Sequence, residues 1–173
     1  MEKVIAVLMR AEPDDEWCNR QRGEVADALL ALDVPGLAVN VRDSAVRDSL
    51  MTLTTLDPPV AAVVSLWTQQ SYGSQMAAAL RTLSQECDRL AAYLVTESVP
   101  LAPPVTEPGA RTTGLANVAL LRRPPELDQT TWLNRWQLDH TAVAIETQAT
   151  FAKPVVRAPG SVTGGASGTD SVT

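Results

Sequence analysis

Residues 3–10, with the sequence KVIAVLMR, and residues 60–67, with the sequence VAAVVSLW, decide the fold of this chain. Each is an apolar run of strand length that contains several β-branched residues, a composition typical of buried strands. Neither run approaches the ~20 apolar residues that a helix needs to cross a membrane. The two segments therefore predict two buried strands of a sheet.

Each of these strands is followed by a segment with helical periodicity. In residues 16–32 the apolar side chains, among them Trp17 and Leu29, fall mostly on one helical face. Residues 13–15 supply a turn and a helix N-cap before this segment. Residues 74–90 repeat apolar side chains at spacings of three and four. The sequence therefore predicts two amphipathic helices.

Two further strands complete the pattern. Residues 37–41 (LAVNV) alternate like a strand, and residues 91–98 (AAYLVTES) predict a closing strand. Together with the helices they give the order βαββαβ over residues 1–100, which is the plan of a ferredoxin-like unit. We therefore predict an α+β fold, with an antiparallel four-stranded sheet that carries both helices on one face.

A Pro-rich linker, residues 101–112, follows, and the pattern then restarts. Residues 115–122 (LANVALLR) predict a strand and residues 131–146 predict a helix. The W-x-N-R sequence at Trp17–Arg20 recurs at Trp132–Arg135, 115 residues later. Chance similarity between amphipathic helices is the alternative, but a match at the same place in the strand–loop–helix order predicts two related ferredoxin-like units in tandem.

The second unit is predicted to be incomplete. It covers residues 113–158, where residues 149–157 suffice for only one strand after the helix. Residues 159–173 are rich in Gly, Ser and Thr and predict a disordered tail, because they cannot bury enough apolar surface to offset the ordering of their backbone. The last strands and helix of the second unit are missing, so the chain is expected to be C-terminally truncated.

Charge and cysteine content argue against several classes of function. The formal net charge of -6 and the pI near 4.7 argue against nucleic-acid binding, which needs clustered Lys and Arg. Cys18 and Cys87 lack CxxC spacing and, with a single histidine, provide no cluster of ligands for a metal. They are expected to be free, buried thiols of a cytoplasmic protein, because no signal peptide is predicted.

His140 is the only histidine, and it follows Trp132 and Trp136 by eight and four residues. The three side chains are therefore expected near one helical face. An imidazole there could act as a general acid or base; alternatively, it packs at the helix end and hydrogen-bonds a carbonyl. Arg122 and Arg123 could meet an anionic substrate or form a solvated strand end. The two tryptophans could anchor a core or contact a ligand.

These residues resemble the EthD domain, a family of the dimeric α+β barrel superfamily. The family has an arginine after the first strand, an aromatic pair on the first helix, and a histidine four residues after the second aromatic. Arg122 or Arg123, Trp132, Trp136 and His140 stand in those places. The first unit has glutamine and valine in place of the second aromatic and the histidine, so it resembles a degenerate copy.

The resemblance implies a homodimer whose sheets pair into a barrel, and a small apolar, oxygenated substrate bound without a cofactor. His140 would be the acid–base residue, and Trp132, Trp136, Arg122 and Arg123 would contact the substrate. The implied chemistry is that of an oxidoreductase of ether degradation or of a cofactor-free lyase. The competing expectation is a non-catalytic remnant or an assembly module that only pairs sheets, because the second unit lacks its second half.

Overall fold

The chain forms two compact units, Met1–Ser98 and Val99–Thr173. A computed structural model describes residues 1–49, 56–97, 99, 106–112, 114 and 116–147. The described part of the first unit contains a sheet and three helices, whereas that of the second unit contains one helix.

Four strands form one antiparallel sheet in the first unit. They are β1 (Glu2–Met9), β2 (Gly36–Val41), β3 (Val60–Thr68) and β4 (Arg89–Val95). Their order across the sheet is β2-β3-β1-β4, so the two apolar runs that predicted buried strands occupy the two central positions. This order and the antiparallel pairing are compatible with a ferredoxin-like plan and confirm the predicted α+β class.

Three helices connect these strands. Helix α1 covers residues 15–30, α2 is the short helix Ser44–Arg47, and α3 is Ser74–Ser84. Helix α1 begins after Asp14, whose carboxylate accepts the backbone N–H of Trp17 at 2.7 Å, as expected for an N-cap. Its middle is a π-helical turn, Gln21–Val25, which the apolar spacing did not predict.

Helix α3 is shorter than its apolar spacing predicts, because it ends at Ser84 and not at Leu90. Residues 85–88 form turns and bends, and Leu90 belongs to β4, where it pairs with Leu8. Apolar residues three and four apart fit a helix. Cys87 and Leu90 keep this spacing, but they pack against the core from a bend and from a strand. The prediction of the helix end was therefore wrong.

Helices α1 and α3 pack on the same face of the sheet, as predicted. Leu29 of α1, Met76 and Leu83 of α3, and Leu8 and Leu66 of the central strands are almost fully buried in one cluster. Burying each such side chain contributes about 1.5–3 kcal/mol relative to leaving it in water. This shared apolar layer therefore holds the two helices on the sheet.

The opposite face of the sheet is also apolar. Val7 and Met9 of β1 and Val63 of β3 alternate with the core residues of their strands and are buried. Ile5 pairs on this face with Tyr93 of β4, which is 54% exposed. A central strand with two apolar faces explains why the β1 sequence is continuously apolar rather than alternating.

A buried carboxylate joins α1 to the turn before β4. Glu86 accepts hydrogen bonds from Arg20 at 2.7 Å and from the side-chain amide of Gln21 at 3.1 Å. Its backbone carbonyl accepts the indole N–H of Trp17 at 2.9 Å. Three side chains of one helix therefore converge on one residue, which fixes α1 against the end of α3.

In the second unit, helix α4 covers residues 129–147. It consists of Gln129–Asn134, a π-helical turn at Arg135–His140, and residues 141–147, which are again α-helical. The strand predicted over residues 115–122 is not formed, since the described residues 116–122 have no ladder partner. A strand must share its backbone hydrogen bonds with a neighbour, so an apolar sequence alone does not make one.

Two further predictions concern the C-terminal part of the second unit. The strand predicted at residues 149–157 and the disordered tail predicted at residues 159–173 lie outside the described residues. The predicted tandem arrangement, with a partial unit at residues 113–158, therefore stays a prediction.

The convergence on Glu86 predicts a stability difference between the two carboxylates that pair with Arg20. Glu86→Ala leaves the buried amide of Gln21 without its acceptor and should lower the free energy of unfolding by about 1–3 kcal/mol. Glu24, whose side chain is 80% exposed, also pairs with Arg20, at 3.2 Å, and Glu24→Ala is the matched control. That control should cost no more than about 0.5 kcal/mol. Urea unfolding of both variants measures the difference, and equal effects would contradict the role of Glu86.

Candidate functional site

Helix α4 carries the aromatic and histidine residues of the predicted site, and an aspartate caps its first turn. The Asp128 carboxylate accepts the backbone N–H of Thr131 at 2.9 Å and the Thr131 hydroxyl at 2.6 Å. These hydrogen bonds hold the pKa of Asp128 below its usual range. A charged carboxylate at this end also interacts favourably with the helix dipole. Both effects stabilise the start of α4.

The structure brings together Trp136 and His140. Their ring centroids lie 4.4 Å apart and the ring planes are 13° from parallel, so the imidazole stacks on the indole. Both side chains lie within the π-helical turn and both are exposed. The imidazole therefore has a defined orientation while its edges remain open to solvent or to a ligand.

Trp132 lies one turn before Trp136 and is only partly buried. Its backbone N–H donates to the Asp128 carbonyl at 3.0 Å, as expected in the first turn of a helix. Among the described residues, the stacked ring pair is Trp136–His140 and does not include Trp132. Among the described residues, the stack thus involves two of the three side chains that the spacing places near one face of the helix.

The two predicted arginines lie in the exposed segment before α4. Arg123 donates a hydrogen bond to the backbone carbonyl of Leu127, which ties its side chain to the loop that leads into the helix. Arg122 is exposed. Within the described part of the chain, no hydrogen bond joins either arginine to Trp136 or His140, so the structure does not assemble all the residues predicted for the site.

The described surroundings of His140 do not enclose it. Between residues 106 and 147 the described side chains are exposed or partly buried, and none is fully buried. Leu138 and Val143, on neighbouring turns of α4, are 65% and 55% exposed. The site is thus an open helix surface with apolar side chains around one imidazole.

The matching positions of the first unit have the opposite environment. Gln21 and Val25, which correspond by the W-x-N-R match to Trp136 and His140, are 1% and 4% exposed. Trp17, the counterpart of Trp132, is buried, with a guanidinium group 5.6 Å from its ring centroid. The α1 positions thus serve the core, and an equivalent site in the first unit is closed.

A second feature, which was not predicted, lies within the first unit at one end of its sheet. The ammonium of Lys3 lies 4.4 Å from the ring centroid of Trp67 and 2.5 Å from the carboxylate of Glu97. The hydrogen bond from Lys3 lowers the pKa of Glu97 below its usual range. The ends of β1, β3 and β4 border a shallow groove of about 660 Å³ here. Lys3 and Glu97 are 94 residues apart, so only the strand pairing brings them together.

Neither cysteine is placed for catalysis. Cys18 is 0% exposed, and burial raises the pKa of its thiol. Burial likewise raises the pKa of Cys87, which is partly buried. A raised pKa lowers the thiolate fraction, and the thiolate is the reactive species. Cys18 is therefore the free, buried thiol that the sequence predicted, whereas Cys87 is free but only partly buried.

In the described ranges, no three His, Cys, Asp or Glu side chains approach closely enough to share a metal ion. No described helix has the length and apolar character needed to span a bilayer. Comparison of the chain with protein-family models and with curated proteins found no match to either.

The burial of Cys18 predicts its chemical protection. In the native protein at pH 7.5, iodoacetamide should modify Cys18 at least about a hundredfold more slowly than in 8 M urea, because reaction requires local opening. Mass spectrometry of the Cys87→Ser variant follows Cys18 alone. Modification of native Cys18 at the rate found in urea would contradict its burial.

Proposed function

We propose that the chain is a small acid–base enzyme of the EthD type, with His140 as the group that transfers a proton. The observation that carries this proposal is the Trp136–His140 stack. An exposed imidazole, held parallel to an exposed indole, offers a proton carrier beside a flat apolar surface. This combination suits an apolar substrate that bears an oxygen function near a removable proton.

The proposal needs no cofactor, because an imidazole by itself can accept and return a proton. Decarboxylation, dehydration and the oxidoreductase chemistry of ether degradation are the reactions that the resemblance implies. Of these, proton transfer is the step for which His140 is suited. Trp132, Trp136 and one of Arg122 and Arg123 are proposed to contact the substrate, with the arginine pairing to an anionic group.

The proposed tandem organisation has support from the two long helices. Each begins with an N-capping aspartate, Asp14 or Asp128, that accepts the backbone N–H three residues later. Each passes into a π-helical turn that begins seven residues after its cap. The two helices thus share a W-x-N-R sequence, 115 residues apart, and a cap and the start of a π-helical turn, each 114 residues apart, which supports a relation between the units. Two free cysteines also favour a cytoplasmic location.

A cofactor-free proton-transfer reaction tests the role of His140 without knowledge of the substrate. In 5-nitrobenzisoxazole, a base removes the ring C–H proton while the N–O bond breaks, and the product is a coloured cyanophenolate. We expect the protein to accelerate this reaction at least about tenfold over free imidazole at equal concentration. His140→Gln should remove that excess, because the amide does not accept the proton.

The matched control for this reaction is Gln137→Ala, since Gln137 is exposed in the same turn of α4. The control should keep the full excess rate. An excess rate that survives in His140→Gln, or a wild-type rate equal to that of free imidazole, would refute the proposed chemistry. Circular dichroism of each variant checks that helix content is unchanged.

The second candidate function is a non-catalytic module that pairs sheets in a homodimer. The observation that favours it is the exposed part of the second face of the sheet, the face opposite the helices, where Tyr93 of the edge strand β4 is 54% exposed beside partly buried Ile5. An apolar surface that reaches solvent is typical of an interaction site. A homodimer through this face is also what the resemblance implies, so the enzyme proposal includes it as well.

Dimerisation through this face predicts different effects for two exposed tyrosines. Tyr93→Asp places a charge on the second face and should weaken dimerisation at least about tenfold. Tyr72→Asp is the control, because Tyr72 is 93% exposed in the turn between β3 and α3. Light scattering of both variants at micromolar concentration measures the association. A monomeric wild-type protein, or equal effects of both changes, would contradict this interface.

A further inference from the structure

We propose that Thr141 is a positioning residue, which keeps Trp136 and His140 stacked by holding the π-helical turn of α4. The functional role of Thr141 rests on the proposed function of His140. Its effect on the ring stack can be tested separately. Thr141 is the first residue after the turn, and its side chain reaches back to the turn.

Thr141 donates hydrogen bonds to two backbone carbonyls, one from its backbone N–H and one from its hydroxyl. Its backbone N–H donates to the carbonyl of Leu138, three residues earlier. Its hydroxyl donates to the carbonyl of Trp136, five residues earlier, at 3.1 Å. The side chain therefore spans the same five-residue interval that defines a π-helical turn and satisfies an acceptor there. The residue that it anchors, Trp136, is one member of the stacked pair.

The π-helical turn of α1 is held in another way. There Gln21 and Val25 are 1% and 4% exposed, so tertiary packing fixes the turn. The residue after that turn, Ala26, has no hydroxyl, although its N–H likewise donates three residues back, to Gly23. A widened turn is rare in helices and needs stabilisation from its surroundings.

In α4 the whole turn Arg135–His140 is exposed, so burial does not stabilise it among the described residues. Within residues 116–147, the side-chain contacts that the structure shows for this turn are the ring stack and the Thr141 hydroxyl. Loss of the hydroxyl should let the turn tighten to an α-helical one. Residues four apart then change their relative rotation about the axis, and the rings no longer lie 13° from parallel.

The ring current of Trp136 provides the measurement. The chain has one histidine, so the Hε1 proton of His140 gives a single, unambiguous NMR signal. Stacking on the indole shifts this signal upfield, and Trp136→Leu defines its position without the stack. Thr141→Ala removes the hydroxyl but retains high helix propensity. We expect this variant to lose most of the upfield shift.

Two further variants complete the test. Thr141→Ser restores a hydroxyl and should restore the shift. Thr147→Ala is the matched control, because the Thr147 hydroxyl donates to the Val143 carbonyl at 2.7 Å, four residues earlier, in the last described turns of the same helix. It should leave the His140 signal unchanged. A full shift in Thr141→Ala, an equal loss in Thr147→Ala, or loss of helix in Thr141→Ala would overturn the proposal.

The 5-nitrobenzisoxazole rate separates this inference from the proposed function. If both hold, Thr141→Ala loses rate together with the ring-current shift, and Thr141→Ser recovers both. If the shift depends on Thr141 but the wild-type protein has no excess rate, the positioning stands and the enzymatic proposal fails. If His140→Gln abolishes the rate while Thr141→Ala leaves the shift intact, the enzymatic proposal stands and the positioning fails.

Discussion

Strand β1 is paired along both of its edges and apolar on both of its faces, and the first unit depends on it. It hydrogen-bonds to β3 on one side and to β4 on the other, so its backbone is satisfied within the sheet. Val4, Ala6 and Leu8 face the helices, and Val7 and Met9 face the opposite side. Helices α1 and α3 pack on the first of these faces, in the cluster that contains Val4, Ala6 and Leu8.

Polar contacts refine this arrangement at the two ends of the sheet. At one end, buried Glu86 collects hydrogen bonds from α1, where water does not compete with them. At the other end, Lys3 and Glu97 pair near the surface, where solvent screens the charges. The first contact therefore orients a helix, whereas the second adds little to stability and shapes the border of a groove.

Helices α1 and α4 have similar local structures in different environments. An aspartate cap and a π-helical turn occur in both, but the turn of α1 is buried and that of α4 is exposed. In α1, Gln21 and Val25 are buried and belong to the core. In α4, Trp136 and His140 are exposed and can contact a ligand. The same local design can therefore support packing in one unit and the proposed chemistry in the other.

The sequence by itself determined the four strands of the first unit, the starts of α1 and α3, and the antiparallel order, because apolar runs and caps act over a few neighbouring residues. It also singled out Trp136 and His140, since four-residue spacing places side chains together on any helix. Only the tertiary structure decided that α3 ends at Ser84, that Glu86 collects the contacts of α1, and that residues 116–122 form no strand. The first two depend on side chains that are distant in sequence. The third depends on whether another strand is present to share backbone hydrogen bonds, which the apolar pattern of one segment does not specify.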